Sequence, residues 1–219
     1  MASISFSNVT KRYPGGHEAL HDINLVIESG EMVFFTGHSG AGKSTLLKLI
    51  PAIERPSLGT VLVNGQNVGR MRPAAVPFLR RSIGVVFQDQ RLLNDRNVFD
   101  NVMLPLAAAG HPPRDAAKRV RAALAKVGLL ERERAFPMTL SGGEQQRLCI
   151  ARAVVGRPSI LIADEPTASL DADYAQRIIE IFRDFNQVGV TVLISTHDQG
   201  LVARYAPRTI MLREGEVIE

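Results

Sequence analysis

The sequence predicts an α/β fold with a mostly parallel central sheet, an N-terminal antiparallel β subdomain and an inserted helical lobe. Three observations carry this. Four short apolar runs, residues 32–35, 83–87, 160–163 and 190–194, do not alternate with polar residues, as suits parallel strands buried on both faces. Each run ends on glycine or polar side chains: Thr36-Gly37, Gln88-Asp89, Asp164-Glu165 and Thr196-His197-Asp198. A stretch from about residue 89 to about residue 155 reads as helical and falls between two of those strands. Ligands of open α/β sheets sit beyond the carboxyl ends of the strands, so four reactive ends point to one shared site.

The remaining elements follow in order. Ile23, Leu25 and Ile27 alternate with Asn24, Val26 and Glu28, which predicts a half-buried antiparallel strand. A short strand over 60–64 ends at a Gly65 turn. A helix opens at Gly42-Lys43 and runs toward Ile50, where Pro51 ends or kinks it. Val120, Leu124 and Val127 form one stripe of a helix over about 113–127, stopped by Gly128. Ile178, Ile181, Phe182, Phe185 and Val188 mark another, stopped by Gly189. Residues 210–212 and 217–218, around Arg213-Glu214-Gly215, predict a closing hairpin and little else after His197. No repeat or linker divides residues 1–219, which read as a single domain.

Composition narrows the class. Hydrophobic residues make up 45% and charged residues 22%, so general disorder is excluded. One cysteine excludes an internal disulfide framework and points to a reducing compartment. No apolar run is long enough to span a bilayer, and the N-terminus shows no basic region followed by an apolar stretch. A soluble intracellular chain is expected. The net charge of +4 permits an anionic partner and selects none.

Residues 37–44 read Gly-His-Ser-Gly-Ala-Gly-Lys-Ser, the phosphate-loop pattern Gly-x4-Gly-Lys-Ser, after a predicted strand and before a predicted helix. Gly37, Gly40 and Gly42 let backbone N–H groups turn toward phosphate oxygens, and the helix N-terminus adds partial positive charge. Lys43 supplies a full charge to the outer phosphates, and Ser44 is placed to ligate Mg²⁺. The whole segment, Gly37, His38, Ser39, Gly40, Ala41, Gly42, Lys43, Ser44 and Thr45, is the candidate ATP cradle. The strand over 160–163 runs into two acids. Adjacent residues of an extended chain point oppositely, so two jobs are expected. Asp164 would hold Mg²⁺, and Glu165 would polarise the water that attacks the γ-phosphate.

Leu140-Ser141-Gly142-Gly143-Glu144 opens a further helix that ends near Gly156. Ser141 with Glu144 fits a capping box. That leaves Gly142 and Gly143 unexplained, since glycine in a helix costs about 1 kcal/mol relative to alanine. Bare glycines at a helix start suit a second phosphate approach, which implies a composite site completed by another copy.

These motifs resemble the ABC-type ATPases over essentially the whole chain, with residues 140–144 as the most specific match. The resemblance implies a P-loop NTPase core and a head-to-tail homodimer with ATP and Mg²⁺ between the phosphate loop of one copy and Ser141, Gly142 and Gly143 of the other. It implies that Tyr13 stacks on adenine, that Gln88 senses Mg²⁺ and the attacking water, that Asp171 lies in a loop crossing the dimer interface, and that His197 is a switch near the γ-phosphate. The bland reading of Asp171 is an N-cap of the next helix.

Residues 77–81, 83–89, 92–93, 95–96 and 100–102 together resemble the bacterial cell-division members of that family. These imply an FtsX-like integral membrane partner, activation of cell-wall hydrolases at the division site, and a place on the cytoplasmic face of the inner membrane held through that partner. The alternative is the ATPase of a substrate-moving exporter of lipoprotein-release or macrolide type. Pro51 and the Ala168-Ser169 pair depart from the cell-division pattern. Only about 120 residues separate Lys43 from Asp164, too few for the long coiled coil of chromosome-structure ATPases. Arg70, Arg72, Arg80 and Arg81 flank a stretch read as irregular, either solvated or facing a membrane partner or anionic lipid. Arg114, Lys118, Arg119, Arg121 and Lys126 read as an exposed helix face. Both clusters are read as lacking the interleaved aromatics of single-strand nucleic-acid binding, so no nucleic-acid partner is expected.

Overall fold

The structure is a computed structural model that describes residues 2–168 and 170–218. Ser169 of the Ala168-Ser169 pair lies outside the described residues. The chain begins with β1 (Ala2–Arg12) and β2 (Glu18–Glu28), a long antiparallel pair. In β2, Ile23, Leu25 and Ile27 are buried while Asn24, Val26 and Glu28 face out, as the alternation predicts. β3 (Met32–Thr36) follows, then the phosphate loop and α1 (Lys43–Leu49). β4 (Leu58–Val63) pairs with β1, and β5 (Gln66–Asn67) completes a small sheet in the order β2-β1-β4-β5.

α2 (Val76–Arg81) leads into β6 (Ile83–Val86). Next come α3 (Val98–Ala108), α4 (Pro113–Lys126) and α5 (Gly142–Val154), the helical insertion. The chain then runs through β7 (Ile160–Asp164), α6 (Ala172–Gln187), β8 (Thr191–Ser195) and α7 (Gln199–Tyr205), and ends in β9 (Thr209–Arg213) and β10 (Glu216–Ile218). The large sheet has the order β10-β9-β3-β8-β7-β6; its strands run parallel except β10.

The unbroken apolar runs have a direct cause. Val33, Phe35, Ile160, Ile162 and Leu193 pack on one face, against the small sheet and α1. Phe34, Leu161, Ala163, Val192 and Ile194 pack on the other, against the helical insertion and α6. A strand with a core on both sides has no polar face to show. Both cores hold the same strand ends in place, and the site is built on those ends.

The structure corrects several expectations. Residues 89–97 are not helical; the insertion begins at Asn97, whose side chain caps α3 by accepting from Asp100 N. The stretch read as irregular contains α2, with Pro77 in its first turn, where a missing N–H costs nothing. Arg80 is not a free cation. Its guanidinium donates to the carbonyls of Pro51 and Ala52, each at 2.9 Å, just past the end of α1. Pro51 therefore closes α1 at Leu49 with its trailing carbonyls satisfied. Phe78 does stand among the basic residues: it is 65% exposed, with Arg81 over its ring at 4.8 Å. A helix, α7, follows His197 where the sequence predicts only a closing hairpin, and β9 is more than a hairpin arm, because it extends the parallel sheet beside β3. Val188 is exposed and outside the buried stripe of α6, which is Ala175, Ile178, Ile179 and Phe182.

Candidate active site

The carboxyl ends of β3, β6, β7 and β8 converge on one cleft of about 500 Å³. Its lining includes Tyr13, His17, residues 39–45, Gln88, Glu165 and His197. The loop's sharp path depends on Gly37. Its φ is +138°, and a Cβ there would lie 2.2 Å from the Leu212 carbonyl oxygen, so no other residue fits without moving β9.

Lys43 is buried at 7% exposure, which for a cation demands partners. Its ammonium donates to Gly37 O at 2.7 Å and His38 O at 3.2 Å, and lies 3.6 Å from Glu165 Oε1. The charge is thus held at the mouth of the loop by two carbonyls and one carboxylate. Gly40, Ser39 and His38 are exposed around it.

The two acids have separate partners. Asp164 Oδ1 accepts from Ser44 Oγ at 2.9 Å and from Ser195 Oγ at 2.6 Å. Glu165 faces Lys43 and His197, with His197 Nδ1 2.9 Å from Glu165 Oε2. The split does not come from extended-strand alternation, as the sequence suggested. β7 ends at Asp164, and Glu165 has a left-handed φ of +48°. A non-glycine residue there costs on the order of 1–3 kcal/mol and persists only where its surroundings enforce it. Ser195 does the enforcing. Its hydroxyl donates to Asp164 and accepts from the Glu165 backbone N–H at 2.8 Å, so one buried side chain fixes both acids. Sequence reading missed Ser195; the signal was a small hydroxyl residue at the end of an apolar parallel strand. His17 and Ala19, which no motif marks, also line the cleft, as does Ala168, which the sequence marks only as a departure from the cell-division pattern.

The other candidates divide between the cleft and the rest of the molecule. Tyr13 borders the cleft, its hydroxyl 3.4 Å from Thr45 Oγ1. Gln88 lines the cleft from the end of β6. Ser141, Gly142 and Gly143 line no part of it. They open α5, where Ser141 Oγ accepts from Glu144 N and Ser141 N donates to Glu144 Oε2 at 2.8 Å, a complete capping box. That backbone hydrogen bond holds the Glu144 carboxyl below the usual carboxylate range, against the opposing effect of burial. The two glycines differ. Gly143 is buried, and a Cβ would meet the Tyr174 ring at 3.0 Å, so helix packing accounts for it. Gly142 is exposed and a Cβ would meet nothing within 4 Å. Asp171 caps α6, its Oδ1 accepting from Tyr174 N at 3.0 Å, which is the bland reading of that residue.

Comparison with known proteins gives the family. Residues 20–168 match the family model described as ABC transporter. The chain is 53% identical over 214 residues to the cell division ATP-binding protein FtsE of Escherichia coli, covering 98% of this chain and 96% of that protein. It is 41% identical to the FtsE of Bacillus subtilis, covering 98% of this chain and 94% of the other. Among solved structures, a dimeric ATP-binding cassette in a post-hydrolysis state, bound to ADP and Pi, superposes with a TM-score of 0.91 at 35% identity, covering 99% of this chain and 97% of that one. The chain belongs to the ABC transporter family and is one of its ATPases.

Proposed function

We propose that this chain is the ATP-hydrolysing subunit of a bacterial cell-division complex. On this reading it works as a homodimer with ATP held between two copies and drives an FtsX-like integral membrane protein that activates cell-wall hydrolases at the division site. The observation that carries the chemistry is the cluster of Lys43, Ser44, Asp164, Glu165 and His197 at adjacent strand ends. The near-full-length similarity to FtsE proteins supports the cell-division setting.

The donor set fits Mg²⁺. Ser44 and Asp164 offer oxygen ligands already within 2.9 Å of each other, and no group of three or more His, Cys, Asp or Glu side chains suited to a metal exists among the described residues. A hard cation held by one or two protein oxygens and completed by substrate phosphates and water matches that supply. When bound, the ion neutralises charge developing on the phosphates.

The chain's own residues do the rest. The loop backbone and Lys43 bind the phosphates. Glu165 takes the proton of the attacking water, His197 keeps the Glu165 carboxylate oriented through Nδ1, and Gln88 orients the water. Tyr13 offers a ring for adenine. A second copy supplies Ser141, Gly142 and Gly143, and the open space over Gly142 supports that approach. Asp171 sits at the same interface.

No helix among the described residues is long and apolar enough to cross a membrane. Membrane association on this reading is indirect, through the partner, on the cytoplasmic face. A groove of about 730 Å³ beside Gln88 supports a docking place. It is lined by Phe87, Leu106, Arg81, Arg91 and His111 among others, and by no acidic side chain. The test is crosslinking in cells. Photoreactive groups at Asp95 or Arg96, both exposed, should capture the membrane protein, and the two should co-purify. Crosslinks appearing only elsewhere, or purification without a membrane partner, would contradict the coupling.

A further inference from the structure

The eleven residues between β6 and α3 carry no helix or strand, yet they hold Gln88 in the cleft. Gln90 and Arg91 are both left-handed, with φ of +53° and +48°. Two consecutive non-glycine residues in that region do not stay there unaided. Their support comes from one face of α5. The Arg152 guanidinium donates to Arg91 O at 2.7 Å and to Gln90 O at 2.6 Å. Cys149 Sγ donates to Gln90 O at 3.4 Å, and Gln146 Oε1 accepts from Gln90 Nε2 at 3.3 Å. These three side chains stand at i, i+3 and i+6, a single helical stripe.

The held backbone in turn fixes both neighbours of Gln88. The Arg91 guanidinium lies over the Phe87 ring at 4.4 Å and binds both oxygens of Asp89, at 3.0 and 2.9 Å. Phe87 and Asp89 flank Gln88. A contact chain therefore runs from Arg152 through the Arg91 backbone and side chain to the two residues that aim Gln88.

We propose that Arg152 is a positioning residue for the ATPase, clasping the two strained carbonyls so that Gln88 is aimed into the nucleotide cleft. α5 also begins at Ser141 and Gly142. One helix of about 20 Å, at 1.5 Å per residue, therefore ties the segment read as facing the other copy's nucleotide to this copy's Gln88. The inference rests on the proposed role of Gln88.

The test uses the full chain and four variants: Arg152→Ala, Arg152→Lys, Gln88→Ala, and the Gln88→Ala/Arg152→Ala pair. Arg152→Ala should lower kcat roughly tenfold, the expected scale for losing charge-assisted hydrogen bonds, with ATP affinity within about twofold of the parent. Arg152→Lys should recover little, because an ammonium cannot span two carbonyls as a planar fork does. It also covers the case in which alanine prevents folding. The double variant should be no slower than Gln88→Ala alone, since groups acting through one another are not additive. Amide exchange over residues 88–93 should quicken in both Arg152 variants.

Additive losses, a loss confined to ATP affinity, or unchanged exchange over 88–93 would overturn the positioning role. If Gln88→Ala is slow while both Arg152 variants turn over at the parental rate, only the positioning role falls. If Gln88→Ala itself turns over at the parental rate, the reading of Gln88 falls and the positioning role with it.

Discussion

The two regions that the proposed function sets against phosphate are built in opposite ways. The cleft at the strand ends is wired within the chain. Lys43, Ser44, Asp164, Glu165, Ser195 and His197 form one connected set of hydrogen bonds and ion pairs, on strands buried on both faces. The start of α5 is capped by the Ser141–Glu144 box, with Arg132 4.0 Å from the Glu144 carboxylate, and turns an open Gly142 outward. A region that is already connected is ready to bind. A capped helix start that leaves Gly142 bare is, on the proposed function, the surface presented to a second copy. On the proposed function, the contrast assigns the cleft to one half of a composite site and the start of α5 to the other.

The largest effect is expected on the wired side. Lys43→Ala removes a buried cation whose partners include Glu165. Titration of labelled ATP should show affinity falling roughly 100-fold, as truncation of a buried, hydrogen-bonded charge commonly costs several kcal/mol. Unchanged binding would separate the loop from the nucleotide.

Gly142→Asp tests the presented side. An acid in the first turn suits the helix dipole, and open space surrounds the position, so thermal stability should hold or rise slightly. ATP hydrolysis should nonetheless fall at least tenfold, the scale of an uncompensated like charge facing phosphate. Parental turnover would mean that Gly142 meets no phosphate.

The smallest effect concerns the box itself. The Glu144 carboxyl is held below its ordinary range chiefly by the Ser141 backbone N–H. A carboxyl depressed by folding adds stability that is present above its unfolded pKa of 4.5 and lost as pH falls through the lowered folded value. Glu144→Gln keeps the hydrogen-bonding shape and removes the charge. Denaturant unfolding should show the parent ahead by a few tenths of a kcal/mol at pH 7. The gap should close as pH falls below the carboxylate range. A gap that persists unchanged at pH 3 would place the effect in shape and not in charge.

The same contrast explains what was legible in the sequence. Residues 37–44 and the Asp164-Glu165 pair are local patterns set by backbone geometry at strand ends, so their place could be read directly. The four buried strands were legible because a core on both sides leaves an unbroken apolar run. Ser195 was not legible, since its role depends on a carboxylate 31 residues away in the chain. Arg152 and Arg80 were hidden for a related reason: each binds backbone carbonyls, and carbonyls leave no trace in residue identity. α7 is seven residues long and opens on the Asp198 cap, too short to show a clear period, and the register of β9 beside β3 is set by pairing between distant strands. Gly143 shows the converse. Its pairing with Gly142 suggested one purpose, but the Tyr174 ring supplies a different reason for the second glycine.

The most direct measurement is the mass of the Glu165→Gln protein in solution, with and without ATP, alongside its hydrolysis rate. The substitution keeps the shape of the side chain and removes the carboxylate that faces Lys43 and His197. ATP should bind, hydrolysis should stop, and the protein should accumulate as a dimer that dissociates when nucleotide is removed. Hydrolysis at the parental rate, or a monomer at saturating ATP, would contradict a site completed by the second copy.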